Sequence, residues 1–108
     1  MSYAVIISKP ADADIRAIFE YIAFTLQSPE TATAQINRLE KEILSLDRMP
    51  ERYSVYNAEP WRSRNLRVMP VDHYLVFYIP DRVKQTVNIL RVMHGSRDID
   101  VQLDLPIK

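Results

Sequence analysis

The stretch "RVMHGSRDID", residues 91–100, concentrates the side chains best suited to chemistry: His94, Arg91 and Arg97 around the chain's single glycine, Gly95. A histidine with an ordinary pKa moves a proton at neutral pH, and arginine stabilises the charge that builds on a scissile phosphate. RNA brings its own 2′-hydroxyl nucleophile. His94, Arg97 and Arg91, joined by Arg67, therefore form a candidate catalytic set for metal-free RNA cleavage. Arg62 and Arg64 are candidates for binding a phosphate backbone or another target, since a guanidinium fork matches phosphate and carboxylate geometry. Trp61, Tyr53 and Tyr56 can stack on bases. Each of these residues also has a plainer use. His94 can be a strand-end histidine satisfied by backbone or water, and Gly95 can supply the positive φ of a turn. Asp98 can pair with Arg97, and the aromatic residues can anchor a long loop.

Other chemistries drop out. One glycine allows no glycine-rich phosphate loop, no HExxH or histidine pair stands at metal spacing, and no serine sits in a nucleophile-elbow setting. The absence of cysteine removes thiolate nucleophiles, thiolate metal sites and disulfides. No cofactor and no metal are expected.

The elements that must position these residues follow from periodicity. "YAVIIS", residues 3–8, is short and β-branched, stops at Lys9-Pro10, and predicts a first strand. Pro10 suits the first turn of a helix, with Asp12 and Asp14 near its positive end. Ile15, Ile18, Phe19, Ile22 and Leu26 recur at three- and four-residue steps as one apolar stripe. Ser28 as N-cap and Pro29 as first residue open a second helix, whose stripe is Ile36, Leu39, Ile43 and Leu46. The break is short, so the helices should form an antiparallel hairpin. Residues 49–60 lose periodicity and predict a loop.

Three strands are predicted beyond it, at 62–69, 73–79 and 86–94, joined by short turns into an antiparallel meander. "YLVFYI" is apolar on both faces, as suits a central strand. Alternation places Val87, Ile89, Arg91 and Met93 on one face of the last strand, and Asn88, Leu90, Val92 and His94 on the other. It also puts Arg62 and Arg64 opposite Arg67. Convergence of the arginines on one cleft therefore requires a local irregularity.

With 108 residues, 47% hydrophobic and 26% charged, the chain reads as one compact domain over 1–108. It shows neither a signal-peptide pattern nor an apolar run long enough for a membrane span, so a cytoplasmic location is expected. The net charge of zero argues against nucleic-acid binding by the whole surface. The distribution is uneven: residues 1–51 carry −3, residues 52–97 carry +5 and residues 98–108 carry −2. Ten of the fourteen basic residues are arginine, which favours planar contacts to phosphate or carboxylate.

Three pieces, in order, carry a family resemblance: the opening strand with "ADADIRAIFEYIA", the "SLDRMPERY" exit from the second helix, and "YLVFYIPD" leading into "VNILRVMHGSRD". Over residues 3–98 the chain resembles the RelE/ParE superfamily of type II toxin–antitoxin toxins, and looks nearest to its ParE-like, plasmid-stabilisation branch. The resemblance implies an α+β fold, β-α-α-β-β-β, with a helical hairpin packed on a small antiparallel sheet. It implies a growth-inhibiting toxin neutralised by a cognate antitoxin, with DNA gyrase as the target in the ParE-like case. The alternatives are a ribosome-dependent mRNA endonuclease like RelE, using His94 with Arg91 and Arg97, and a non-toxic interaction domain of the same fold. Leu75 stands where RelE-like nucleases tend to carry a basic residue, and the tail "DIDVQLDLPIK" has neither tyrosine nor arginine. These departures count against the nuclease.

Overall fold

The computed structural model of the chain describes residues 2–96. Arg97, Asp98 and the C-terminal tail lie outside the described residues. Strand β1, Ala4–Ile7, leads into helix α1, Lys9–Glu20, which continues as a π-helical turn, Tyr21–Thr25. Helix α2, Pro29–Leu44, follows, and then strands β2, Arg67–Val71, β3, Tyr74–Asp81, and β4, Thr86–His94. The sheet order is β1-β4-β3-β2, with β2, β3 and β4 antiparallel. The α+β hairpin-on-sheet fold is the one expected, but the sheet is mixed: β1 pairs with β4 in parallel, from Ala4–Thr86 to Ile7–Ile89. Both helices and two strands separate β1 from β4, a connection long enough to bring two strands together in parallel.

Ser8 starts α1. Its hydroxyl accepts from the Ala11 N–H at 3.1 Å and donates to the Leu90 carbonyl at 3.0 Å, so the cap also ties the helix to β4. Ile15 and Ile22 of the predicted stripe face the core, with Ala11 buried a turn before them, but Leu26 does not. The Leu26 N–H donates to the Tyr21 carbonyl five residues back, which widens the turn and carries Leu26 off the stripe. Ser28 is the N-cap residue of α2, although its hydroxyl donates to Thr31 Oγ1 rather than accepting from the backbone. Leu39, Ile43 and Leu46 are fully buried against Met69, Val76, Tyr78, Val87, Ile89 and Val92. Burial pushes the Tyr78 phenol up to about 12, and its hydroxyl donates to the Pro50 carbonyl at 2.6 Å.

Two strand expectations are corrected. The strand predicted at 62–69 begins only at Arg67, because residues 62–64 form a 3-10 turn closed by Asn65 at φ 62°. That turn folds Trp61 and Leu66 under the sheet's second face, where they join Phe77 and Met93. In β4, Phe77 pairs with Arg91 but Tyr78 pairs with Ile89, which leaves Leu90 as the extra residue of a β-bulge. The predicted faces fail past Ile89 for this reason. Val92 joins Val87 and Ile89 in the helix-side core, while Met93 packs with Leu90 in the opposite cluster.

Candidate functional site

β1 pairs with β4 only as far as Ile89, and beyond that point α1 covers the margin of β4. Between them lies a groove of about 600 Å³, lined by Asp14, Ala17 and Ile18 of α1, by Tyr21 of the π-helical turn, by Tyr74 of β3, and by residues 91–94 and Ser96. The irregularity that the arginines required is present as the bulge at Leu90, but it does not free Arg91. Asp14 accepts from Arg91 Nε at 2.6 Å, from Arg91 Nη2 at 2.9 Å, and from the Val92 N–H at 2.9 Å. The two side chains are only 14% and 16% exposed. The hydrogen bonds that Arg91 donates to Asp14 raise the guanidinium pKa further, so Arg91 is a fixed, neutralised member of the scaffold.

His94 stands exposed at the rim of the groove, across the sheet from Tyr74. Its Nδ1 accepts from the Ser96 N–H at 3.1 Å and lies 2.7 Å from the Ser96 hydroxyl. With Nδ1 occupied as an acceptor, the neutral ring carries its proton on Nε2. Tyr74 meets the ring edge-on at 5.5 Å, and His73 stacks on it at 6.2 Å. Gly95 does not adopt a positive φ, contrary to expectation. An added Cβ there meets the His73 carbonyl oxygen at 3.5 Å and Leu75 Cγ at 3.9 Å, both ordinary contacts.

Arg67 is placed elsewhere. It faces Tyr78, four residues along β3 from the Tyr74 that faces His94, or roughly 13 Å along the strand. Its Nη1 donates to the carbonyls of Glu51 and Tyr53 at 2.8 and 2.7 Å, and its Nη2 to Asn65 Oδ1 at 3.0 Å. Arg67 thus pins the loop between α2 and β2, with its Nε buried and without a hydrogen-bond partner. Arg62 and Arg64 are exposed on the 3-10 turn, with the Arg64 guanidinium 5.7 Å from the Trp61 ring centroid. Trp61 is buried, Tyr56 packs edge-on against Phe77 at 6.0 Å, and the Arg52 guanidinium lies over Tyr53 at 5.0 Å. All three aromatic residues anchor the loop.

The groove therefore unites Arg91 and His94, leaves Arg67, Arg62 and Arg64 outside, and adds three residues that sequence reasoning did not assign to it: Asp14, Tyr21 and Tyr74. The sequence places Asp14 only near the helix's positive end, and nothing in it marks Tyr21 or Tyr74 for the groove. Chemically the groove offers an imidazole, a serine hydroxyl and two phenol rings, beside a guanidinium that a carboxylate already occupies. Among the described residues no group of three or more His, Cys, Asp or Glu side chains is set to hold a metal ion. Among the same residues no helix is long and apolar enough to cross a membrane.

Comparison with known proteins agrees with this architecture. A family model described as the ParE toxin of the type II toxin–antitoxin system parDE matches residues 5–99. No curated protein sequence matches the chain significantly. Among solved structures, the chromosomal ParDE system from P. aeruginosa superposes with a TM-score of 0.70 at 17% identity, covering 86% of this chain and 96% of that one. The toxin–antitoxin complex RelBE2 from Mycobacterium tuberculosis gives 0.62 at 23% identity, with 87% and 99% covered. The archaeal RelE–RelB complex from Pyrococcus horikoshii OT3 gives 0.61 at 20% identity, with 90% and 99% covered. These likenesses concern the fold, whereas the family model spans nearly the whole sequence: the chain belongs to the ParE toxins of type II toxin–antitoxin systems, within the RelE/ParE superfamily.

Proposed function

We propose that the chain arrests bacterial growth by binding and poisoning DNA gyrase in the cytoplasm, and that a cognate antitoxin neutralises it. One observation carries this reading: among the described residues, the two arginines of the candidate nuclease set, Arg91 and Arg67, are built into the scaffold. Phosphate cleavage needs a cation free to meet the developing charge beside the proton-transfer group. At the groove Arg91 is held by Asp14 through two hydrogen bonds, and Arg67 is committed to backbone carbonyls roughly 13 Å along the sheet. A toxin that acts by contact needs no such cation. Partnership with an antitoxin is supported by the RelBE2 and RelE–RelB neighbours, which are toxin–antitoxin complexes.

Induced expression should arrest growth, and co-expression of the adjacent antitoxin gene should relieve the arrest. Normal growth without the antitoxin would instead favour a non-toxic interaction domain of the same fold. Purified protein should inhibit supercoiling by gyrase, and absence of inhibition at large excess rejects that target. A second reading, a RelE-like mRNA endonuclease, is favoured by the exposed His94 imidazole between Tyr74 and Ser96. It predicts that a folded His94→Ala, Arg97→Ala variant loses mRNA cleavage by primer extension. Undiminished cleavage removes both residues from the mechanism.

A further inference from the structure

We infer that Arg62 and Arg64, with Lys84 of the β3–β4 turn, form a surface that grips the phosphate backbone of duplex DNA, an inference that rests on the gyrase reading above. Charge along this chain is segregated. Residues 48–67 hold five arginines and two glutamates, whereas no lysine or arginine occurs between Arg16 and Arg38. A chain of zero net charge binds a polyanion only through such a local concentration.

The fold selects which of these cations face outward. Arg52 and Arg67 donate to loop carbonyls and Arg82 binds Glu51, while Arg62, Arg64 and Lys84 are exposed. The 3-10 turn that carries Arg62 and Arg64 is braced twice. Buried Trp61 roots it in the cluster of Leu66, Phe77 and Met93. The Glu59 carboxylate accepts from the Ser63 N–H at 3.0 Å and from the Ser63 hydroxyl at 2.8 Å. Side-chain bonds also tie this turn to the β3–β4 turn. Arg67 reaches Asn65 Oδ1 at 3.0 Å and the Glu51 carbonyl at 2.8 Å, and the Glu51 carboxylate accepts from Arg82, two residues before Lys84, at 2.6 Å. The backbone positions of the three cations are therefore fixed relative to one another, as contacts to a regular array of phosphates require.

The aromatic residues decide between duplex and single strand. Single-stranded RNA or DNA is gripped by stacking its bases on exposed rings. Trp61 is buried, Tyr56 packs on Phe77 and Tyr53 lies under the Arg52 guanidinium, so this surface offers charge without a stacking platform. Charge alone suits the backbone of a duplex, held without regard to sequence. A toxin bound to gyrase meets such a duplex, and gripping it would strengthen the hold on the enzyme–DNA complex.

The test titrates a fluorescent DNA duplex with the full-length toxin between about 50 and 200 mM salt, and runs the same proteins in a gyrase supercoiling assay. Three phosphate contacts predict an affinity that falls about fortyfold across that range. An Arg62→Gln, Arg64→Gln, Lys84→Gln variant should keep its thermal midpoint, lose at least about tenfold in affinity at low salt and shed most of the salt dependence. It should also require more protein to inhibit gyrase. A control variant, Lys9→Gln, Arg16→Gln, Lys41→Gln, removes the same charge from exposed positions of α1 and α2 and should lose far less. Equal losses in the two variants, no loss in the first, or gyrase inhibition by the first at wild-type concentrations overturns the inference. Tighter binding of wild-type toxin to single-stranded RNA of the same length assigns the cations to RNA and also overturns it. No duplex binding by wild-type toxin at low salt, with gyrase still inhibited, overturns the surface and leaves the gyrase reading intact. Duplex binding that the first variant loses, without gyrase inhibition by any of the proteins, upholds the surface and rejects the gyrase reading.

Discussion

Arg91 and Asp14 stand 77 positions apart in the sequence and meet because α1 crosses the margin that β1 leaves open on β4. The sequence therefore shows Arg91 as a cation beside a histidine and gives no sign of the carboxylate that occupies it. Asp14→Ala should cost about 2–4 kcal/mol in urea denaturation, because it strands a mostly buried guanidinium and orphans the Val92 N–H. Adding Arg91→Ala should restore part of that loss. Loss of stability in neither variant would return Arg91 to the pool of residues free for chemistry. Tyr78 makes a prediction on the alkaline side. Burial raises its phenol from the ordinary 10.0 to about 12, so above pH 10 the unfolded chain releases this proton before the folded one does. The associated stability is fully present below pH 10 and falls by roughly 2–3 kcal/mol as pH rises toward 12. Tyr78→Phe should remove this alkaline drop while costing about 1–3 kcal/mol at neutral pH, since it leaves the Pro50 carbonyl without its donor. An unchanged alkaline profile in Tyr78→Phe would assign the drop to another group.

Elements were more legible than their contacts. Composition and spacing placed β1, both helices and β4, and Leu39, Ile43 and Leu46 are buried as their stripe requires. The failures arise where backbone geometry departs from a single period. The alternation of Leu66 and Val68 suggests a strand from residue 62, yet the left-handed Asn65 ends a 3-10 turn first. A bulge at Leu90 exchanges the faces of Val92 and Met93, and a π turn removes Leu26 from its stripe, and neither irregularity leaves a composition signal. Ser8 joins two elements through one hydroxyl, capping α1 and donating to the Leu90 carbonyl at the bulge. Ser8→Ala should therefore cost about 1–2 kcal/mol in chemical denaturation, and a loss close to zero would mean that α1 is held on β4 by packing alone. Gly95→Ala, by contrast, should stay within about 0.5 kcal/mol of wild type, because the turn needs no positive φ and the new methyl meets only ordinary contacts. A large loss there would point to a role for the bare backbone that the turn geometry does not require.

Across the whole molecule, the charge of the strand region changes meaning once its partners are known. Residues 52–97 carry +5, which by itself favours a polyanion target. Yet Arg52 and Arg67 donate to loop carbonyls, Arg82 binds Glu51 and Arg91 binds Asp14, so much of this charge braces the loop and the helix against the sheet. Arg62, Arg64 and Lys84 stay exposed, but the groove itself presents two phenols and one imidazole beside an arginine that a carboxylate occupies, a surface better suited to protein contact than to phosphate cleavage. The central claim, that this toxin works by binding, is tested most directly by titrating purified wild-type and His94→Ala protein into a gyrase supercoiling assay. Binding predicts inhibition by both proteins at similar concentrations. No inhibition by wild-type protein at large excess, together with mRNA cleavage that His94→Ala abolishes, would contradict it.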